Sequence, residues 1–225
     1  MAIATPLRPA ASVATGIKTN KAWAWTGLAV FVLGFAFTWA PALFGVSESE
    51  AKDPALLTAA LDTDANLWIG RISSGIGFLT VGALIVFAAG FRRMLEARMP
   101  NSLVPSITYT AFAATAGALI IASVFRAILF DSFEMYGDNM HSVTYSFSWD
   151  VTLASWTVMY VAAIASAFAA FSGALPRWFG WTSAVLAGLA IVLMMVGLSF
   201  PAHMPVFIWL LCATVVAIRA DEATA

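Results

Sequence analysis

Cysteine, histidine and charge are all scarce in this sequence. One cysteine and two histidines occur among 225 residues, and charged residues make up 10% of the chain, against roughly a quarter in an ordinary soluble domain. A lone Cys212 builds no disulfide framework, Cys-based metal site or redox pair within one chain. Set in an apolar run, it reads as a small core residue. The hydrophobic share, 61%, makes lipid the main solvent. A chain of this length has room for about six spans of roughly 20 residues and too little remainder for a soluble domain.

What is absent inside the apolar runs narrows the chemistry further. None has a Lys or His at mid-depth, and runs one, five and six carry no internal charge. A retinal Schiff base needs a buried Lys, and bis-His haem needs facing imidazoles. An intramembrane Ser protease needs a His beside its Ser, and a membrane zinc hydrolase needs several His and acids. Proton and ion relays use mid-depth acids, which are missing as well. Composition therefore excludes these machines and disfavours an ion-coupled transporter.

What is present is a series of apolar runs separated by polar punctuation. Residues 1–22 form an Ala- and Thr-rich arm with Arg8, Lys18 and Lys21 and no acid. The expected spans are 23–46, 67–91, 103–130, 151–171, 179–200 and 203–219, with a tail at 220–225. Ala40-Pro41-Ala42 resembles a secretory cleavage site, but the run ahead of it exceeds the 7 to 15 residues of a signal core, and Trp23, Trp25 and Trp39 suit interfacial anchoring. Residues 47–66 are acidic, with a short helix expected around Ala55–Leu61 on the membrane surface. Residues 131–149 read as a second polar loop. Each span must be helical, because lipid satisfies no backbone group and the runs are too long for barrel strands. The fold class is an all-α polytopic bundle of six transmembrane helices forming a 23–219 transmembrane domain.

Placing both termini inside puts Arg8, Lys18, Lys21, Arg92, Arg93, Arg98, Arg177 and Arg219 on the cytoplasmic side, eight basic residues against three acids. The outer side then holds Lys52, Arg71 and Arg126 against nine acids. This is the positive-inside pattern. A multi-pass protein of the bacterial cytoplasmic membrane, N-in and C-in, is expected. Small residues supply close helix approach in lipid, and Gly70/Ser74/Gly75/Gly77, Ala113/Gly117, Ala162/Ser166/Ala170 and Ala184/Gly188 form such ridges.

Two constellations are candidates for a site. Arg71, Arg126 and Asp150 lie at the outer ends of spans two, three and four. Converging, they would make an outward polar pocket binding an anion or lipid head group; the plainer reading is snorkelling arginines or a structural Arg–Asp pair. Glu134, Asp138 and His141 are spaced i, i+4, i+7 and would share a helical face, with His203 on the same side. Carboxylates and imidazoles together suit a divalent metal, the plainer reading being a solvated histidine in an acidic loop. No cofactor is expected and no catalytic residue is assigned.

Asp53-Pro54-Ala55-Leu56-Leu57-Thr58-Ala59-Ala60 leading to Asn66, Leu175-Pro176-Arg177-Trp178-Phe179-Gly180-Trp181 opening span five, and the Pro-containing turn before span six resemble a family of uncharacterised six-span bacterial integral membrane proteins, a domain of unknown function. The resemblance implies the fold and no activity. The leading expectation is a membrane protein that is non-catalytic or not demonstrably catalytic, either a partner subunit or a binder of a lipid or small apolar molecule. The alternatives are a lipid-modifying enzyme using Arg71, Arg126, Asp150 and His141 at the outer leaflet, and a transporter. Expected partners are membrane lipids, with another membrane protein or a second copy of the chain as further candidates, and no nucleic acid.

Overall fold

The computed structural model describes residues 21–198 and 200–220. The expected arm and tail fall outside these residues, apart from Lys21, Ala22 and Ala220. Among the described residues the structure is all-helical, and six helices are long and apolar enough to cross a membrane. The elements are α1 (Ala22–Trp39), α2 (Glu48–Lys52), α3 (Pro54–Leu61), α4 (Asp64–Arg98), α5 (Val104–Asp131), α6 (Asp138–Thr157), α7 (Met159–Phe171), α8 (Arg177–Met195) and α9 (Met204–Arg219). A 3-10 segment, Ala40–Phe44, continues α1, and α6 and α7 form a single span. Each span packs on the next in sequence, and span six returns to span one, which closes a ring.

Aromatic side chains fill the middle of that ring. Phe87 of α4 meets Phe112 of α5 edge-on at 5.6 Å, Phe112 stacks on Trp209 of α9 at 6.0 Å, and Trp209 stacks on Phe179 of α8 at 6.3 Å. Trp209 donates its indole N–H to Ser183 Oγ at 2.9 Å, which removes the penalty of burying that donor. Trp156 of α6 packs on Phe207 at 4.9 Å and donates to Thr38 Oγ1 at 2.9 Å. The bundle axis is a packed core.

Helix lengths divide the molecule in two. The spans that form α8 and α9 have 19 residues each, about 28 Å at the helical rise, which matches a hydrocarbon core of about 30 Å. The α4 helix has 35 residues and the α6–α7 span 34, each about 50 Å long, so they overrun that core. Lys21, Arg92, Arg93, Arg98, Arg177 and Arg219 all lie at one end, here the basic end. Most of the overrun lies at the other, where α2 and α3 cover it; we call this the capped end. Phe44, Leu57, Leu61, Leu129, Phe130 and Phe133 form a second apolar core there, separate from that of the bundle.

Local chemistry explains the cap. Ser47 and Glu50 make a reciprocal capping box at the start of α2, and the Ser47 hydroxyl and N–H hold the Glu50 carboxyl below its ordinary range. Asp53 accepts from the N–H groups of Ala55 and Leu56, and Pro54 opens α3. The buried Asn66 side chain donates to the carbonyls of Phe44 at 3.2 Å and Ala60 at 2.9 Å, tying the end of span one to α3. The short helix expected on the membrane surface is α3, and its Leu57 and Leu61 are fully buried against the protein, because the overrunning helices offer them an apolar face.

Two further expectations change. Residues 131–149, read as a loop, are helical from Asp138 onward. The small-residue ridges also split: Gly70 and Gly77 lie against neighbouring helices, whereas nothing stands within 4 Å of a Cβ placed at Gly75, Gly117 or Gly188. Spacing identifies a face of small residues but not whether that face meets protein or lipid.

Candidate functional site

Among the described residues Arg126 is the one arginine buried inside the bundle, 1% exposed. It lies 22 residues into α5, about 33 Å from that helix's start. Its Nη1 donates to the Phe37 carbonyl at 2.7 Å, its Nε to Ser148 Oγ at 3.3 Å, and its Nη2 to Thr152 Oγ1 at 3.4 Å. The guanidinium also stands 4.0 Å from the centre of the Phe37 ring. The Phe37 bond has a direct origin in the sequence. Pro41, four residues on, has no N–H, so the Phe37 carbonyl loses its helical donor, and Arg126 supplies another. Ser148 and Thr152, a turn apart on α6, present their oxygens on one face.

Arg71 and Asp150 do not join this node. Arg71 is exposed, pairs with Asp131 at 3.5 Å, donates to the Phe130 carbonyl at 3.3 Å and lies over Trp68 at 5.8 Å. Asp150 sits between Ser148 and Thr152 in sequence, so helix geometry turns it away from Arg126; it is exposed, and among the described residues no ion pair includes it. The three residues expected to share an outward pocket therefore point to different surroundings. Arg126 meets only neutral acceptors.

The four proposed metal ligands are also separated. Glu134 is exposed in a 3-10 turn, and extended backbone at Tyr136 and Gly137 divides it from α6, which breaks the expected common face. Asp138, the first residue of α6, is exposed. His141 is 2% exposed: its Nε2 donates to the Phe133 carbonyl at 2.8 Å, its Nδ1 faces Thr58 Oγ1 at 3.2 Å, and its ring stacks on Phe133 at 4.1 Å. His203, 1% exposed, directs Nδ1 at the Phe200 carbonyl and Nε2 at that of Leu153. A metal needs a free imidazole lone pair, and these nitrogens are engaged. Among the described residues no group of three or more His, Cys, Asp or Glu is placed to hold a metal.

His203 instead fastens the turn between spans five and six. That turn docks beside the interruption of span four at Val158: His203 reaches Leu153 on one side, and the Tyr160 hydroxyl donates to the Ala202 carbonyl on the other. Thr152, Ser155 and Thr157 each bond back to a carbonyl three or four residues earlier, a pattern that bends helices without proline. Arg126, His141 and His203 are thus committed to holding the fold.

Unspent polar chemistry also lies at the basic end, where neither candidate constellation had been expected. Arg98 Nη1 donates to Ala174 at 3.2 Å and Nη2 to Ala220 at 2.7 Å, joining the end of α4 to the turn before α8 and to the end of α9. Lys21 Nζ caps the Ile218 carbonyl at 3.2 Å. Between these elements opens a cleft of about 580 Å³, with Leu175, Pro176, Trp178 and Val216 as apolar wall and Arg98 and Arg219 as its charged members. Trp178 is 48% exposed, and Gly173, at φ +91° in the turn, takes a conformation that other residues disfavour. A second cleft of about 430 Å³, reaching Asn101, Ser102 and Ser172, shares Arg98. The sequence clue was Arg177 and Trp178 beside a Gly-Pro turn, but nothing in the spacing brings Arg98 and Arg219 to them. No family model, curated protein or solved structure matches the chain.

Proposed function

We propose that this is a non-catalytic lipid-binding protein of a bacterial cytoplasmic membrane, with both termini inside and its ligand held at the basic end. The observation that carries the reading is the cleft beside Arg98. Its wall is largely apolar, its rim bears arginines, and it opens at the ends of α4 and α9. The packed aromatic axis disfavours transport, and the committed state of Arg126, His141 and His203 disfavours outer-leaflet catalysis.

Retention of lipid tests this directly. Protein purified in a detergent that strips annular lipid is expected to keep one lipid per chain in native mass spectra. Ala174→Trp, which fills the cleft, removes it. Wild-type protein that retains no lipid would overturn the reading.

The orientation rests on the eight-to-three division of basic and acidic residues, and labelling checks it. Because Cys212 is the sole cysteine, a Cys212→Ser background allows single reporters at exposed positions. An impermeant maleimide added to intact cells is expected to modify Lys52→Cys, and to reach Arg93→Cys only after permeabilisation. The reverse order would invert the topology.

A further inference from the structure

We propose that the group recognised in the basic-end cleft is a phosphate, bound jointly by Arg98 and Arg219. The inference rests on the reading of the cleft as a lipid site and names what that site selects. A guanidinium has five N–H donors, and Arg98 spends one on each of the Ala174 and Ala220 carbonyls. Its Nε–H and the second N–H of each Nη remain unspent. Arg219 is exposed and has no hydrogen-bond or ion-pair partner among the described residues. Two arginines therefore line one cleft with most of their donors free, while Glu96, the acid at this end among the described residues, is paired with Arg92 at 2.7 Å. The unspent donors suit an anionic ligand.

Phosphate fits better than a carboxylate or a neutral headgroup. Its tetrahedral oxygens accept from two guanidinium forks approaching along different directions, whereas a planar carboxylate is matched by one. The pairing of a basic rim with an apolar wall at a helix-end interface is the arrangement that suits a phospholipid, headgroup to arginine and chain to Val216, Leu175 and Trp178. Held this way the arginines act as a headgroup filter, and the wall contributes affinity without selectivity.

The experiment compares probes of graded chemistry on the full chain in nanodiscs, read by native mass spectrometry: phosphatidylglycerol, phosphatidylcholine, whose ammonium competes for its own phosphate, and diacylglycerol, which has none. Retention is expected to fall in that order. Arg219→Gln lowers phosphatidylglycerol retention about fivefold, the effect of one interfacial arginine. Arg93→Gln, exposed at the same end but outside the cleft, leaves it unchanged, which separates a built site from general surface charge. Arg98→Lys retains the charge but loses the fork and gives an intermediate loss, should Arg98→Gln disturb the helix ends it ties. Equal retention of diacylglycerol and phosphatidylglycerol, or indifference to Arg219→Gln, overturns the phosphate assignment and leaves the lipid reading standing. Inorganic phosphate that binds wild type but not Arg219→Gln, with no lipid retained, keeps the phosphate site and sinks the lipid reading.

Discussion

Arg126→Ala is expected to destabilise the protein by about 3 kcal/mol, from a cavity in a packed core together with an unsatisfied buried carbonyl. The substitution removes the donor to Phe37, the bonds to Ser148 and Thr152 and the contact with the Phe37 ring at once. Arg126→Met separates these effects. It restores most of the volume and removes a buried charge, but leaves the Phe37 carbonyl without a donor, a loss of about 1–3 kcal/mol. The orphan exists because residue 41 is proline, so positions 41 and 126 should be coupled. In a Pro41→Ala background position 41 regains an N–H, and the penalty of Arg126→Met should shrink by about 1 kcal/mol. Chemical denaturation of the four proteins in one detergent measures the cycle. Equal penalties in both backgrounds would mean that the guanidinium does not serve that carbonyl.

Gly77→Val should be at least as damaging, about 3 kcal/mol or more from overpacking, while Gly75→Val two residues away should be close to neutral. A Cβ at Gly77 would stand 2.2 Å from Ser123 Oγ and 2.7 Å from Phe37, on two different spans, whereas at Gly75 it meets nothing within 4 Å. Neither neighbour has room to yield, since Phe37 also lies against Arg126 and Ser123 bonds to the Leu119 carbonyl. The pair shares one helix and nearly one depth, so helix propensity and lipid exposure of the backbone cancel to first order. Comparable thermal shifts for both would contradict the packing described here.

The spans were legible because hydrocarbon imposes a composition on any segment that crosses it. The same rule hid what lies beyond the membrane edge. Hydropathy stops at that edge, but the helices do not: α6 begins at Asp138, 13 residues before the apolar run at Val151 that marked span four. In that stretch His141, Thr144 and Ser148 face inward among polar neighbours, a pattern that looks like loop when read for hydrophobicity alone. Glu134 and His141 seemed to share a face only on the assumption of one unbroken helix, which the backbone at Tyr136 and Gly137 does not keep.

Sites were less legible than spans, for a related reason. Arg71, Arg126 and Asp150 share a depth, which sequence reveals, but not an azimuth, which depends on how neighbouring helices are rotated. The proline that frees the Phe37 carbonyl was visible, yet its consequence required knowing that α5 packs beside α1. Arg98 and Arg219 are 121 positions apart and line one cleft because span six returns beside span one. No local spacing encodes that closure.

On the proposed function, free binding chemistry lies at the basic end, while Arg126, His141 and His203 at the capped end serve the fold. A phospholipid with a photoactivatable group near its headgroup, irradiated with the protein in nanodiscs and mapped by peptide sequencing, tests it most directly. Adducts are expected on the segments around Ala174–Trp178 and Val216–Ala220. Adducts concentrated instead around Arg126, Ser148 and Thr152 would place the site at the capped end and contradict the account.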